Sequence, residues 1–396
     1  MEVAWIIVFW TAVAALLYAQ VGYALLLRLV SAVLREADRP PENSTDLPSV
    51  TLIIPAHNEE TVLEAKLENA LSIDYPAEKC EILVASDGSS DRTVEIARSF
   101  EKRGVHVAAF RERRGKTAVV NDAIRQATGE VVCVCDANVM FRPEALKRLV
   151  ARLDDPRVGA VSGDVRLASE ESDFAEGESA YYRLERTVQR AESKVGSMMG
   201  VDGGMYVLRR ELFQPLPADT IVDDFVISMR VIRQGKWVVF EPTAIATENG
   251  TATARQEFQR RVRLSAGAMQ VLLRRQWPPL ARPVECWQFV SHKLLRWAGP
   301  VWLVLLLVSS AVLWNAGVIY RAALLAQVLL YGLAAVGSLS LRFRETRIGG
   351  IPFYFVMSHV AMAVGLVKGL LNLQRVTWNR TERTTACNKP TSSASS

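Results

Sequence analysis

The stretch SVTLIIPAHNEE, Ser49–Glu60, is a β-branched run of strand length ended by a proline and a polar cluster. Beyond Glu60 the chain alternates between two patterns. TVLEAKLENALSI (Thr61–Ile73) carries Val62, Leu63, Leu67, Ala70 and Leu71 at helical spacing; EILVASDGSSD (Glu81–Asp91) is a second strand entering a Gly-Ser turn, and RTVEIARSF (Arg92–Phe100) a second helix. VHVAAF (Val105–Phe110), KTAVVNDAIRQA (Lys116–Ala127) and GEVVCVCDAN (Gly129–Asn138) continue as strand, helix, strand. Such alternation builds right-handed βαβ units, an α/β domain with a mostly parallel sheet whose ligands bind beyond the carboxyl ends of the strands. Pro55–Glu59, Asp87–Asp91 and Asp136–Asn138 lie at such ends, so three polar clusters are expected to converge on one crevice.

Around this domain the composition changes. The 396 residues are 50% hydrophobic and 22% charged, yet the apolar residues concentrate at the two ends. Val3–Leu27 contains no charge, and about 20 apolar residues span a hydrocarbon core. A cleaved signal peptide is the rival reading, but MEVAW supplies no basic n-region and the run is too long. Trp297–Tyr320, Ala322–Leu341 and Ile351–Leu373 are three further candidates, with Trp and Tyr near several ends as interface anchors. The last is entered through Gly-Gly-Ile-Pro and carries Lys368, so it reads as either a span or a re-entrant segment.

The net charge of +5 does not read as nucleic-acid binding. Arg28, Arg35 and Arg39 come after the first span, and Arg342–Arg347 separates the third from the fourth. Basic flanks mark the cytoplasmic side, which puts the globular domain in the cytoplasm of a multi-pass plasma (inner) membrane protein. Four spans would send the tail outward, against its Arg375, Arg380, Arg383 and Lys389, and whether the last segment crosses stays open. The expected organisation is a membrane helix over 1–34, a globular domain over 48–275, interfacial helix over 276–296, membrane helices over 297–374 and a disordered tail over 375–396. Five cysteines show no metal or disulfide spacing; Cys133 and Cys135 read as core.

Each polar cluster alone has a plain reading as a turn or helix cap. Together they point to a site. Asp136 and Asn138 at one strand end would project two oxygen ligands to the same side of an extended chain, which suits Mg2+ or Mn2+ bridging to phosphates. Gly115-Lys116 ahead of a helix reads as a diphosphate contact without the glycine spacing of a Walker loop. Asp223-Asp224, opening IVDDFVISMRVIRQGK (Ile221–Lys236), reads as helix capping or as the place of a catalytic base.

The order Pro55-Ala-His-Asn58-Glu59, Asp87-Gly88-Ser, Gly115-Lys116 with Asn121, Asp136-Ala-Asn138 and Asp223-Asp224 resembles the family 2 inverting glycosyltransferases. It resembles the membrane-embedded group of poly-N-acetylglucosamine, hyaluronan and cellulose synthases. The resemblance covers residues ~48–275 and implies a nucleotide-diphosphosugar transferase (GT-A type) domain. It further implies a hexosyltransferase that moves a sugar from a UDP-sugar to a growing polysaccharide or oligosaccharide. Carried over by position, Pro55, Asn58, Glu59, Asp87 and Gly88 bind the nucleoside, and Lys116 lies near the diphosphate. Asp136 and Asn138 form the metal motif, and Asp224 is the general base, with Asp223 left to cap the helix. Asn138 departs from the family's second aspartate and gives up one negative charge.

FQRRVRLSAGAMQVLLRRQW (Phe258–Trp277) reads as an amphipathic helix on the membrane with its arginines against lipid phosphates. In the resemblance it aligns with the Gln-x-x-Arg-Trp motif of processive synthases, where Arg260, Arg263 and Leu264 stand at the key positions and only Arg263 matches. Arg260 and Arg263 are candidate donor contacts. The missing glutamine and tryptophan favour the alternative of a single transfer to a lipid acceptor, whereas the three C-terminal segments favour a polymer path. Membrane lipid and an accessory export subunit are candidate partners. A second alternative is a non-catalytic nucleotide-sensing transporter, which the spans do not support, since they carry no acid pair.

Overall fold

The computed structural model describes residues 1–33, 47–167, 173–248 and 253–374, with the side chains of 173–183 excepted. Arg35, Arg39 and the tail from 375 lie outside the described residues. Among the described residues, eight strands form one sheet: β1 Val50–Ala56, β2 Cys80–Asp87, β3 Val105–Phe110, β4 Val131–Cys135, β5 Met140–Phe141, β6 Val158–Leu167, β7 Met205–Arg209 and β8 Trp237–Glu248. Their spatial order is β3-β2-β1-β4-β7-β6-β8-β5. The first four are mutually parallel, whereas β7 runs antiparallel to both β4 and β6. Strand order therefore reverses beside β1 and β4, the place where an open α/β sheet binds its ligand.

The β1 run shows no polar alternation because both faces are covered. Leu52 and Ile54 enter one core with Leu63 and Leu67, while Ile53 enters the other with Val119 and Val120. Pro55 does not end the strand, as the sequence suggested; β1 continues to Ala56. The β1–β4 ladder stops at Ile53, so the N–H that Pro55 lacks falls where β4 no longer pairs.

The helices of the domain are α3 Leu63–Leu71, α4 Thr93–Ser99, α5 Lys116–Gln126, α6 Ala145–Ala151, α7 Asp173–Val195, α8 Asp223–Arg233 and α9 Ala254–Leu273. Before them come α1 Glu2–Leu17 and α2 Tyr23–Val33, and after them α10 Pro283–Gln288, α11 Leu295–Trp297, α12 Gly299–Val312, α13 Val318–Leu339, α14 Leu341–Arg344 and α15 Arg347–Leu370. A π-helical turn, Tyr18–Gly22, joins α1 to α2, and a second, Phe289–Leu294, joins α10 to α11.

Among the described residues, three helices are long and apolar enough to cross a membrane: Glu2–Val33 taken whole, α13 and α15. Pro283–Trp297 and α12, bent by 60° at their junction, make a fourth as a pair. The run Trp297–Tyr320 is thus not one helix. Its helix ends at Val312 after 14 residues, about 21 Å at 1.5 Å per residue, short of the ~30 Å hydrocarbon core. A turn through Gly317 follows, and Tyr320 lies in the first turn of the next helix, which starts at Val318.

Helix α9 is covered rather than bare. Gly365 and Gly369 of α15 bring the two backbones together, and a Cβ on Gly369 would stand 2.6 Å from the Ala266 carbonyl oxygen. Arg261 donates to the Tyr354 hydroxyl and stacks on its ring at 4.8 Å. This arginine faces a helix, not lipid phosphate.

Candidate active site

Two strand ends and two helix N-termini form the crevice. β1 delivers His57–Glu59, β4 delivers Asp136, α5 starts at Lys116 and α8 at Asp223. Asn58 adopts a left-handed φ of 55°, which its short amide tolerates. Its Oδ1 accepts from the Ser90 N–H at 2.8 Å, and its own N–H donates to Ser89 Oγ at 3.1 Å. The Glu59 N–H donates to Thr93 Oγ1 at 2.8 Å. Asn58 and Glu59 are thereby stapled to the Asp87–Asp91 loop, while Pro55 stays buried inside β1.

The fully buried Asp87 carboxylate accepts from the Arg114 N–H at 2.6 Å and the Gly115 N–H at 2.8 Å. Its charge therefore fixes the loop that leads to Lys116. Gly88, with φ of 61°, is required where that loop crosses: a Cβ there would lie 2.7 Å from the Arg113 nitrogen. Asn121 extends the same scaffold. Its amide donates to the Leu216 carbonyl at 2.8 Å and accepts the Leu216 N–H at 3.0 Å, while Thr117 Oγ1 donates to the Thr220 carbonyl at 2.8 Å. Helix α5 thus holds the segment leading into Asp223.

Lys116 Nζ donates to Asp136 Oδ1 at 2.7 Å. Burial works against its ammonium, but Asp136, Asp223 and Asp224 outweigh that and hold its pKa above the ordinary lysine value. The Asn138 amide Nδ2 lies 3.5 Å from Glu248 Oε2. Among the described residues no group of three His, Cys, Asp or Glu is arranged around a metal position. The donor set still suits a hard divalent cation, since the Asp136 side chain is 36% exposed. Mg2+ is commonly held by one or two carboxylates, with substrate phosphates completing the shell.

Asp223 is the first residue of α8, but the N-cap position is Val222 and it forms no side-chain cap bond, so the capping role expected of Asp223 is absent among the described residues. Burial, reinforced by the Asp223 charge and opposed by Lys116, pushes Asp224 up to about 6. Its Oδ1 accepts from the Phe225 N–H at 2.7 Å. Its Oδ2 is backed by Gly203, where a Cβ would stand only 2.8 Å away.

Arg263 of α9 reaches this corner, donating to the Ile221 carbonyl at 3.3 Å beside Asp223 and Asp224. Arg260 of the same helix pairs with Glu257 at 3.3 Å. Two groups carry no signal in the sequence. Gly203 sits in a glycine pair that looks like an ordinary turn, and Glu248 shows no motif. Asp202 closes a tight turn, accepting the Gly204 N–H at 2.8 Å. Burial and the Glu248 charge push its carboxyl up to about 6.

Comparison with known proteins fits this geometry. Residues 51–216 match the family model described as glycosyl transferase family 2. A probable glycosyltransferase, YdaM, of Bacillus subtilis (strain 168) is 28% identical over 247 residues, 59% of this chain and 58% of that protein. The poly-beta-1,6-N-acetyl-D-glucosamine synthase of Staphylococcus aureus (strain COL) is 26% identical over 242 residues, 60% of this chain and 58% of the relative. The chain thus spans somewhat over half the length of these curated relatives. Among solved structures, the mannosyltransferase PcManGT from Pyrobaculum calidifontis, in complex with GDP-Man and Mn2+, superimposes with a TM-score of 0.70 at 25% identity. That likeness covers 93% of this chain and all of the other. The loop scaffold around Asp87, the carboxylate corner and these likenesses agree: residues 51–216 match glycosyl transferase family 2, the fold is that of GT-A glycosyltransferases, and helices long and apolar enough to cross a membrane lie on both sides of the matched region.

Proposed function

We propose that this chain is an inverting hexosyltransferase. It moves a sugar from a nucleoside diphosphate sugar, a UDP-sugar in the first instance, to a hydroxyl of a growing polysaccharide or oligosaccharide at the cytoplasmic face of the plasma membrane. The observation that carries this reading is the Asp224 carboxylate, half-buried beside a second acid, with Lys116 and Arg263 close to it. Inversion needs an acceptor hydroxyl to lose its proton as it attacks the anomeric carbon and the diphosphate leaves from the opposite face. A carboxylate with pKa near 6 is ionised at neutral pH yet basic enough to take that proton, an effect worth roughly 10²–10⁴-fold. Lys116 and Arg263 supply fixed positive charge where the leaving diphosphate gathers its negative charge. A Mg2+ or Mn2+ ion, held by Asp136 with the Asn138 carbonyl oxygen, would add to that neutralisation.

A specific observation favours a second acceptor class. Leu264 is exposed and Arg260 is tied to Glu257, so neither position presents an aromatic ring on which an acceptor sugar could stack. Single transfer to a lipid hydroxyl needs no such platform. The test is to incubate membranes containing the protein with labelled UDP- and GDP-hexoses and size the products over a short time course. Long chains beside untouched acceptor support elongation, and one discrete chloroform-soluble product supports lipid glycosylation. Asp224→Asn should bind nucleotide but turn over roughly 10²-fold more slowly or worse. Nucleotide binding with no transfer by the wild type, whichever donor is offered, would leave only a sensing module.

A further inference from the structure

The two π-helical turns meet. The Tyr18 hydroxyl of the first lies 2.9 Å from Ser291 Oγ of the second and accepts the Trp287 indole N–H at 3.2 Å. Just beyond them, Tyr23 and His292 converge on one carboxylate of α7. Glu192, with no exposed surface, takes the Tyr23 hydroxyl on Oε1 at 2.7 Å, and the His292 Nδ1 lies 2.8 Å from the same oxygen. The opposite ring nitrogen of His292 stands 2.9 Å from Glu185 Oε1, and Arg296 pairs with the other Glu185 oxygen at 2.7 Å. Such π-turns cost regular hydrogen bonding and recur at functional positions.

The remaining oxygen of Glu192 points into the transferase domain. Oε2 accepts the Met199 N–H at 3.1 Å. Around it, the loop from Ser197 to Gly204 is pinned amide by amide. The Ser197 N–H goes to Gln288 Oε1 at 3.3 Å, Val201 to Ser228 Oγ at 3.0 Å, Asp202 to Ser162 Oγ at 2.9 Å and Gly204 to the Asp202 carboxylate at 2.8 Å. This loop carries Gly203, which stands against the Asp224 carboxylate.

We infer that Glu192 and Tyr23 are positioning residues, through which the first membrane helix holds the Ser197–Gly204 loop against the catalytic carboxylate. The helix is then part of the catalytic scaffold as well as an anchor. A purely structural junction would need Glu192 only to join α2, α7 and the second π-turn, and would have no reason to direct its second oxygen to a loop amide. The assignment of Asp224 as the base rests on the function proposed above; the loop contact itself does not.

The test therefore has two arms, on the full-length protein in lipid nanodiscs. Tyr23→Phe removes one hydroxyl, and Glu192→Gln keeps the shape but offers the loop one charged acceptor fewer. Tyr18→Phe is the control, because it cuts the contact between the π-turns without touching Glu192. In the first arm, hydrogen exchange of a peptide spanning Met198–Gly204 should speed up about tenfold in Glu192→Gln, the scale of one hydrogen bond to a charged acceptor. The increase should be smaller in Tyr23→Phe and absent in Tyr18→Phe, while peptides from β1 and β2 keep wild-type exchange. In the second arm, kcat should fall about tenfold in Glu192→Gln and the KM for donor stay within about twofold, since a shift of the order of 1 Å can cost 10²-fold. Wild-type exchange at the loop in both variants overturns the inference, and so does faster exchange with unchanged kcat. A wild type without transferase activity sinks the proposed function alone, because the exchange arm needs no turnover. Should Glu192→Gln fail to fold, Tyr23→Phe decides.

Discussion

Replacing Gly203 by alanine adds one methyl group in contact with the proposed base and little else. The Gly203 backbone is not in the left-handed region, so alanine fits it without strain, but its Cβ would stand 2.8 Å from Asp224 Oδ2. Ordinary contact begins near 3.4 Å, so the carboxylate must move by the difference, 3.4 − 2.8 = 0.6 Å. It cannot simply rotate in place, because Oδ1 is held by the Phe225 N–H at 2.7 Å. Catalytic groups must be held within about 0.5 Å of productive geometry, and a misplacement of about 1 Å can cost about 10²-fold. Gly203→Ala should therefore lower kcat by roughly 10–10²-fold, with donor affinity by calorimetry unchanged and stability lower by no more than about 1–3 kcal/mol. Gly332→Ala, where nothing lies within 4 Å, serves as the matched control. Turnover within about twofold of wild type in Gly203→Ala, at unchanged donor affinity, would refute the placement of Asp224 Oδ2 at the reacting centre.

The same corner makes further outcomes measurable. With Asp224 pushed up to about 6, kcat should fall as pH drops through 6 because the base takes up a proton. The stability sign is opposite: the folded state binds that proton more tightly than an ordinary carboxylate of pKa 3.8, so this group's contribution to stability rises as pH falls from about 6 toward 4. Asp224→Asn should remove its share of both trends, measured by rate–pH profiles and thermal melts. Chelation and Asp136→Ala should each abolish transfer, and Asp136→Ala should also lose Mn2+ binding measured by magnetic resonance without substrate turnover. Asn138→Asp should tighten that binding, and a loss equal to that of Asp136→Ala would give Asn138 another role.

The parallel half of the sheet was legible because each strand there is a short β-branched run closed by a loop signal. The half beyond β4, where directions mix, was not. β6, VGAVSGDVRL, places Gly163, Ser162 and Asp164 in a buried strand, and polar residues hide a strand whose partners lie far away in sequence. The metal and base candidates could be found because helix N-termini and strand ends advertise themselves through acids, glycine and lysine. The Tyr23–Glu192–His292 junction could not. Glu192 lies in LERTVQRAESK (Leu184–Lys194), which reads as a solvated helical face, and its partners are 169 and 100 residues away. Long-range pairing overrides local pattern there, as it does where a turn splits the apolar run Trp297–Tyr320.

The antiparallel pairing of β4 with β7, which sets Cys135 opposite Met205, also fixes an order of events during synthesis. β1 to β4 are complete once residue 135 has left the ribosome, but the seam beside Asp136 cannot close until β7 emerges. At 5–20 residues per second, the roughly 70 intervening residues take about 3.5–14 s. A nascent chain therefore owns its Asp87 loop scaffold for several seconds before Gly203 and Asp224 exist, with the N-terminal apolar helix already made. The carboxylate corner is thus assembled late, after the parallel strands and the N-terminal apolar helix.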